Sequence, residues 1–507
     1  MPDLSVRSKS SLLMLIIVAY LVIGILYAVK TPPWQMPDEP AHYNYIKYLA
    51  ENYRLPVLQM GDYPHDYLEE IKAKQFPPEM SIEPLRYEFH QPPLYYVLAT
   101  IVYKLFAGRL LPLRLLSVLL GCCLLWVAYR IAKAIFPRDE ALALGTTAFV
   151  AFVPMHIAIT TAVNNDTLAE LILAVILWML VRYVRDGDEG IGRFVGLGVL
   201  IGLGLLTKIT TLVAIPLALA AVLVREGWLE RHRESTLRAR ALKGEAFARH
   251  FLLLASCILL PALLLALPWF LRNVLVYGGF DIFGLQRHDA IVIRQPRTAK
   301  WLVQLGATRF AKEFILTTFR SFWAQFGWMG ILVDQRIYLI LALLCSVVGL
   351  GLVLFVIRNV RQRTLSSSYQ RMAVGLLALS ALLTLLSYLW YNLKFVQHQG
   401  RYLFPALVPI GLAFALGLRE VLARDNARAA ALLFLAGILI LAAKGLVTGD
   451  FNKLSISLLG GAAAAFGIKA VLSEKHEDLV FALPYLGLLG LDLICLFRFI
   501  VPYFMPV

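Results

Sequence analysis

Charge is what this 507-residue chain has least of: Asp, Glu, Lys and Arg make up 16% of it, against 59% hydrophobic residues. Its mean hydropathy is +0.71. Soluble domains carry about 25% charged residues. The composition therefore excludes an ordinary soluble enzyme and implies a protein that crosses a membrane many times. Cysteine is scarce too. Cys122, Cys123, Cys257, Cys345 and Cys495 all fall inside apolar runs, with neither zinc-ligand spacing nor a disulfide framework, and read as small buried hydrophobes. Internal repeats and low-complexity segments are missing, and no soluble domain is expected at either end. Of the two signs of charge the acidic is rarer, 33 against 48 basic, for a net of +15. The excess does not point to nucleic acid. It gathers in short connections between apolar runs, above all residues 225–249 and 358–371, which is the positive-inside signature of cytoplasmic loops.

What is present is a succession of apolar runs near the 20 or so residues that a helix needs to cross a bilayer. The first, 11–28, follows Arg7 and Lys9 like a signal sequence, but no small-residue cleavage site follows, so it is expected to stay as a span. With the basic loops inside, thirteen spans are expected: 11–28, 113–132, 141–161, 167–183, 194–206, 209–224, 251–270, 336–357, 372–391, 402–418, 428–443, 454–471 and 479–500. The short run 94–106 is left at the outer surface, because counting it would move Arg130, Lys133 and Arg138 outside. Residues 194–224 join two cytoplasmic loops and must cross twice with about 15 residues per helix, roughly 22 Å each. Their joint, with Lys208, is therefore expected to be recessed. A lysine in hydrocarbon costs about 2.5–3.5 kcal/mol, so Lys208 is expected to face a polar cavity or an anion, a snorkelling helix end being the plainer account.

Two long external loops result, 29–112 and 271–335. Polar residues converge on that same face: PDEPAH (37–42), EFHQPPLYY (88–96), TTAVNNDTLAE (160–170), LTKITT (206–211), PWFLRN…YGG (268–279) and KFVQHQGRYLFP (394–405). Each cluster has a plainer account. Asp38 suits the N-cap of a helix opening at Pro40. Tyr43, Tyr45, Tyr48 and Tyr53 suit an interfacial aromatic belt. Asp166 suits a helix cap, Asn165-Asp166-Thr167 matches a glycosylation pattern, and His398 with Arg401 suits a solvated turn. Together, on one side, they suggest a site that opens outward and is fed from the membrane. A transporter would bury ionisable groups at the midplane between repeated halves, and that pattern is not seen.

The ordered set PDEPAH, QPPLYY, NNDTLA, LTKIT, PWFLRN…YGG and QGRYLFP resembles bacterial membrane glycosyltransferases of the GT-C superfamily, near the lipid A aminoarabinose transferases and the protein O-mannosyltransferases. The resemblance spans most of residues 1–410. It implies an all-α polytopic GT-C fold of about thirteen transmembrane helices, one integral domain over 1–507, with juxtamembrane helices in the first external loop and C-terminal spans over 402–507. It also implies a polyprenyl-phosphate sugar donor used at the outer face of the cell membrane and a catalytic acid in the first loop, which falls on Asp38 with Glu39 beside it. One departure stands out: the aminoarabinose transferases have Lys before Pro-Pro-Leu, and this chain has Gln91 after His90.

The chemistry follows from the residue types. A lipid phosphate is a good leaving group, so one carboxylate suffices to deprotonate the acceptor hydroxyl, and a single displacement inverts the anomeric centre. Cations must hold the departing phosphate. Asp38 or Glu39 fits the base. Lys208, Arg272 and Arg401, and less well His398, fit the phosphate clamp; His42, His90, Gln91, Tyr95, Asp166 and Tyr402 complete the substrate-binding candidates. No metal ligands are assigned and no cofactor is certain; a divalent cation stays open, although no Asp-x-Asp or His-rich spacing is evident. The expected partners are the lipid donor, a glycan, lipid or protein acceptor, and membrane lipids, with no nucleic acid. The rival readings are a glycan polymerase or ligase using diphosphate-linked oligosaccharide, and a lipid or sugar transporter.

Overall fold

A computed structural model describes residues 6–187, 190–232, 237–365, 367–473 and 476–505, side chains being described from residue 11 and outside 230–244. The N-terminal charges Arg7 and Lys9 and the middle of the basic stretch 225–249 thus lie outside the described side chains. Among the described residues eleven helices are long and apolar enough to cross a membrane, or twelve when one bent pair counts as a span. Every segment expected to cross is helical, but the expected count of thirteen is not reached by this measure. Segment 194–206 forms the helix Ile191–Leu205, only 15 residues long.

Two breaks shape the site. The expected span 141–161 is a pair of helices, Glu140–Ala151 and Pro154–Thr160, bent by 65°. Pro154 explains the break: it lacks an amide donor and keeps Val153 extended, at φ −80° and ψ 114°. The second break is at Lys208, whose backbone is extended between Ile191–Leu205 and the 3-10 turn Ile209–Val213. The short helix Ile191–Leu205 packs closely on the long helix Leu237–Tyr277, and Gly198 permits the approach. A Cβ there would run into the Ile258 carbonyl.

The two long segments expected to be external loops are folded and stitched together. The first carries helices Glu39–Asn52, His65–Ala73 and Leu94–Leu105; the second carries Leu285–Ile291, Thr298–Leu305, Ala307–Trp323 and a two-stranded hairpin pairing Gln325 with Leu332. Ala41, Leu68, Ile71, Phe76, Leu85 and Tyr87 form a small apolar core of their own, with Trp34 and Trp328 against it. Trp328 Nε1 donates to the Trp34 carbonyl at 2.9 Å. Arg287 donates to Leu58 at 3.1 Å, and Arg294 pairs with Asp66. By contrast the hairpin Arg424–Thr448 and Lys453–Val471 exposes Leu432, Leu439, Ile440, Leu446 and Val447, as a lipid-facing pair would.

The cysteines are free, but only Cys495 is buried and Cys123 is exposed. The expectation of five buried small hydrophobes is corrected accordingly, since a span turns much of its surface to lipid rather than to protein. The aromatic belt is corrected as well. Tyr45 is fully buried, stacked on Tyr96 with ring centres 3.7 Å apart, whereas Tyr53 is 82% exposed.

Candidate active site

The connection from the first span to helix Glu39–Asn52 is held by one arginine. Arg114, in helix Leu110–Ile135, donates to the carbonyls of Ala28, Thr31 and Pro32 at 2.6–3.1 Å and to both oxygens of Glu39 at 2.8 and 2.6 Å. Glu39 also accepts from the Trp34 and Val163 amides. Both side chains are buried. A charge that deep is tolerated because every prong of the fork has an acceptor. Glu39 is a latch between elements and does not line the cavity.

Asp38 turns the other way. Its backbone sits in the left-handed region at φ 67°, and its side chain does not cap the helix that it precedes. Instead Oδ1 accepts from the Tyr87 hydroxyl at 3.0 Å and Oδ2 from Arg401 at 2.6 Å. Burial alone would raise the Asp38 carboxyl. The Arg401 guanidinium, helped by His42 and Tyr87, outweighs it and holds the group below its ordinary value.

A cavity of about 1130 Å³ opens beside this pair, lined by Asp38, His42, Glu88, His90, Gln91, Asp166, Lys208, His288, Arg401 and Tyr402, and by apolar residues including Leu212, Phe270, Leu386, Trp390 and Leu393. Lys208 faces this polar cavity and pairs with Asp166 at 2.6 Å. Asp166 follows the N-cap position, which belongs to Asn165. Asn165 is fully buried and donates to the Gln91 side chain and the Thr207 carbonyl, so the glycosylation reading is corrected. His42 pairs with the Tyr96 hydroxyl at 2.8 Å, and His90 Nδ1 with the Tyr87 carbonyl at 3.0 Å. Burial pushes both imidazoles below their ordinary value, His90 well below, with His288 adding to it there.

Three expected site residues lie elsewhere. Arg272 is spent on the first loop: it donates to the Pro56 carbonyl, to Asn273 and to Tyr277, and stacks over Trp269 at 4.9 Å. His398 is buried against Phe310, Phe314 and Trp301. Tyr95 is fully buried, its hydroxyl 3.4 Å from Ser117. Of the four residues expected for a phosphate clamp, Lys208 and Arg401 line the cavity and Arg272 and His398 do not.

The structure adds residues that the sequence did not single out. Glu88 lines the cavity, and its buried Oε2 has no hydrogen-bond partner among the described residues. Tyr87 fixes Asp38. His288 lies against His90 with ring centres 4.5 Å apart. Glu88 and Tyr87 stand next to the QPPLYY motif, which was the available signal; His288 lies in a loop 198 positions further on, with no local pattern to flag it. Among the described residues no group of three or more His, Cys, Asp or Glu is arranged to hold a metal ion.

A family model described as dolichyl-phosphate-mannose-protein mannosyltransferase matches residues 90–242. No curated protein matches the chain. Among solved structures the chain is similar to ArnT from Cupriavidus metallidurans bound to undecaprenyl phosphate, with a TM-score of 0.52 and 15% identity over 97% of this chain and 77% of that one. It is likewise similar to ArnT from the same organism in the apo state, with a TM-score of 0.53 and 15% identity over 98% and 77%. At that identity the likeness is one of fold, and the resemblance to the GT-C superfamily is borne out.

Proposed function

We propose that this chain, which has a GT-C-type fold and matches a mannosyltransferase family model over residues 90–242, is a transferase that moves a sugar from a polyprenyl-phosphate carrier to an acceptor hydroxyl on the outer side of the cell membrane. The observation that carries this reading is the pairing, in one cavity, of a carboxylate with the two cations that a phosphate needs: Asp38 beside Arg401, and Lys208 opposite.

The roles follow from the geometry. Asp38 takes the acceptor proton as the acceptor oxygen attacks the anomeric carbon, a step worth about 10²–10⁴-fold. Arg401 and Lys208 take the negative charge that develops on the departing phosphate. Attack opposite the leaving group inverts the anomeric configuration. The apolar lining supports a lipid-borne donor: Leu212, Leu386, Trp390 and Leu393 are each at least 41% exposed, the first three on membrane-spanning helices and Leu393 at the end of one. A polyprenyl chain can enter from the bilayer along such a wall.

The test is mass spectrometry of lipids extracted from detergent-purified protein. A polyprenyl phosphate enriched over bulk membrane in the wild type and depleted in Lys208→Ala is expected. Bulk phospholipid alone in both would sink the lipid-phosphate donor.

A further inference from the structure

Of the charged side chains that line the cavity, among them Glu88, Asp281 and the pair Lys394–Asp289, two cations and two carboxylates form two further ion pairs. Asp38 holds Arg401 and Asp166 holds Lys208, each at 2.6 Å, and all four side chains are 25% exposed or less. The pairs also feel one another, since Arg401 acts on Asp166 as well as on Asp38. The quartet is charge-balanced, two positive and two negative.

An entering phosphate upsets that balance. It brings negative charge beside cations that are each already paired with a carboxylate, and its strong acceptor oxygens compete with those carboxylates for the same charged groups. Arg401 gives Oδ2 one of its N–H donors through Nη2, and its buried Nε has no hydrogen-bond partner among the described residues, so a phosphate that takes Nε turns the guanidinium toward itself and loosens its hold on Oδ2 of Asp38. Oδ1 is different: its partner is Tyr87, a buried neutral hydroxyl with no attraction of comparable strength to a phosphate. One prong of the Asp38 carboxylate is therefore exchangeable and the other fixed.

We propose that the Asp38–Arg401 ion pair is a lock on the base, opened by the donor's own phosphate. While Arg401 holds Oδ2, the carboxylate is a weak base with both oxygens engaged. Once the phosphate draws Arg401 away, Oδ2 is free on the cavity side, still oriented by Tyr87, and its basicity rises. The donor must then bind before an acceptor or a stray water can be deprotonated. The Asp166–Lys208 pair is subject to the same competition. This inference rests on the reading of the cavity as a polyprenyl-phosphate site.

The two ideas separate in one experiment. Undecaprenyl phosphate is titrated into the full-length protein in detergent micelles, with undecaprenol as the uncharged control, for the wild type, Asp38→Asn, Arg401→Gln and the double variant. If the lock exists, Asp38→Asn binds the phosphate about tenfold more tightly than the wild type, because a larger fraction of Arg401 is competent. That gain vanishes when Arg401 is already Gln. Equal affinity of the wild type and Asp38→Asn overturns the lock, as does the same gain with and without Arg401, which would be a field effect only. Should Asp38→Asn fail to give a monodisperse protein, Asp166→Asn with and without Lys208→Gln reads the same competition. A wild type that does not distinguish undecaprenyl phosphate from undecaprenol overturns the donor reading and the lock with it.

Discussion

Glu39 and Arg114 form a two-pronged ion pair in the dry interior, Nε to Oε1 at 2.8 Å and Nη2 to Oε2 at 2.6 Å, one residue along the chain from a carboxylate that faces a cavity. Neighbouring acids thus have opposite duties. The left-handed backbone at Asp38 turns its side chain toward Tyr87 and Arg401, while Glu39, the first residue of the helix, is left pointing inward.

Removing Arg114 leaves the Glu39 charge buried without its partner, a loss of about 3–5 kcal/mol for such pairs. Arg114→Ala is expected to melt at a markedly lower temperature in detergent and to reach the membrane in lower yield. A melting curve that overlays the wild type would mean that Glu39 is not a latch.

Asp38→Asn should behave in the opposite way. The side chain keeps its size and an acceptor for Tyr87, and the Arg401 pair that it breaks borders the cavity instead of lying in the dry interior, so melting should fall less than in Arg114→Ala, whereas transfer should fall by about 10²–10⁴-fold. Transfer close to the wild-type rate would remove Asp38 as the base and turn attention to Glu88, whose Oε2 is buried without a partner.

The helical spans were legible in the sequence because hydrophobic length is a property of the chain itself. That Lys208 should face a polar cavity followed from the shortness of the runs on either side of it, and the structure puts Lys208 in the cavity wall, paired with Asp166. The choice between Asp38 and Glu39 was not legible: it depends on the sign of one φ angle and on Arg114, 75 positions away from Glu39. Arg272 and His398 were misjudged for a related reason. Both sit beside motif residues, but the Pro56 carbonyl takes the first and an aromatic nest encloses the second, and neither partner is local in sequence.

That correction can be tested directly. Arg272→Ala cuts the tie between helix Leu237–Tyr277 and the first loop and should lower thermal stability, while the affinity for undecaprenyl phosphate stays within about twofold, since no phosphate contact is lost. Lys208→Ala should show the reverse emphasis, weakening phosphate binding by about tenfold or more through loss of a charge-assisted contact. Equal losses of affinity in the two variants would return Arg272 to the clamp.

Close helix packing gives a prediction away from the site. Gly198→Val would drive a branched side chain into the Ile258 carbonyl, part of the backbone of a neighbouring helix that cannot step aside. Overpacking of this kind costs about 1–3 kcal/mol, and Lys208 lies just beyond the end of the same short helix. Lower thermal stability together with weaker phosphate binding is expected. Gly192→Ala, where a Cβ meets nothing, is the control and should match the wild type on both counts.

The pH dependence of turnover reads Asp38 most directly. The groups facing it are Arg401 and Tyr402 from the QGRYLFP turn, His42 on its own helix, Tyr63, Tyr87, Tyr391, Asp166 and His288. Burial pushes the Asp38 carboxyl up, and Arg401 chiefly pushes it down, with the net value below the ordinary 3.8. The ionised form that acts as base is therefore present above that depressed value and is lost only as the pH falls through it. In Arg401→Gln burial is no longer offset, so the acid limb of kcat/KM should move to higher pH. In the wild type, kcat/KM reports the free protein and kcat the donor complex. If the donor's phosphate draws Arg401 away, the acid limb of kcat must lie at higher pH than that of kcat/KM. Coincident limbs in the wild type would mean that Arg401 stays on Asp38 throughout turnover, and an unmoved limb in Arg401→Gln would mean that another group is titrating.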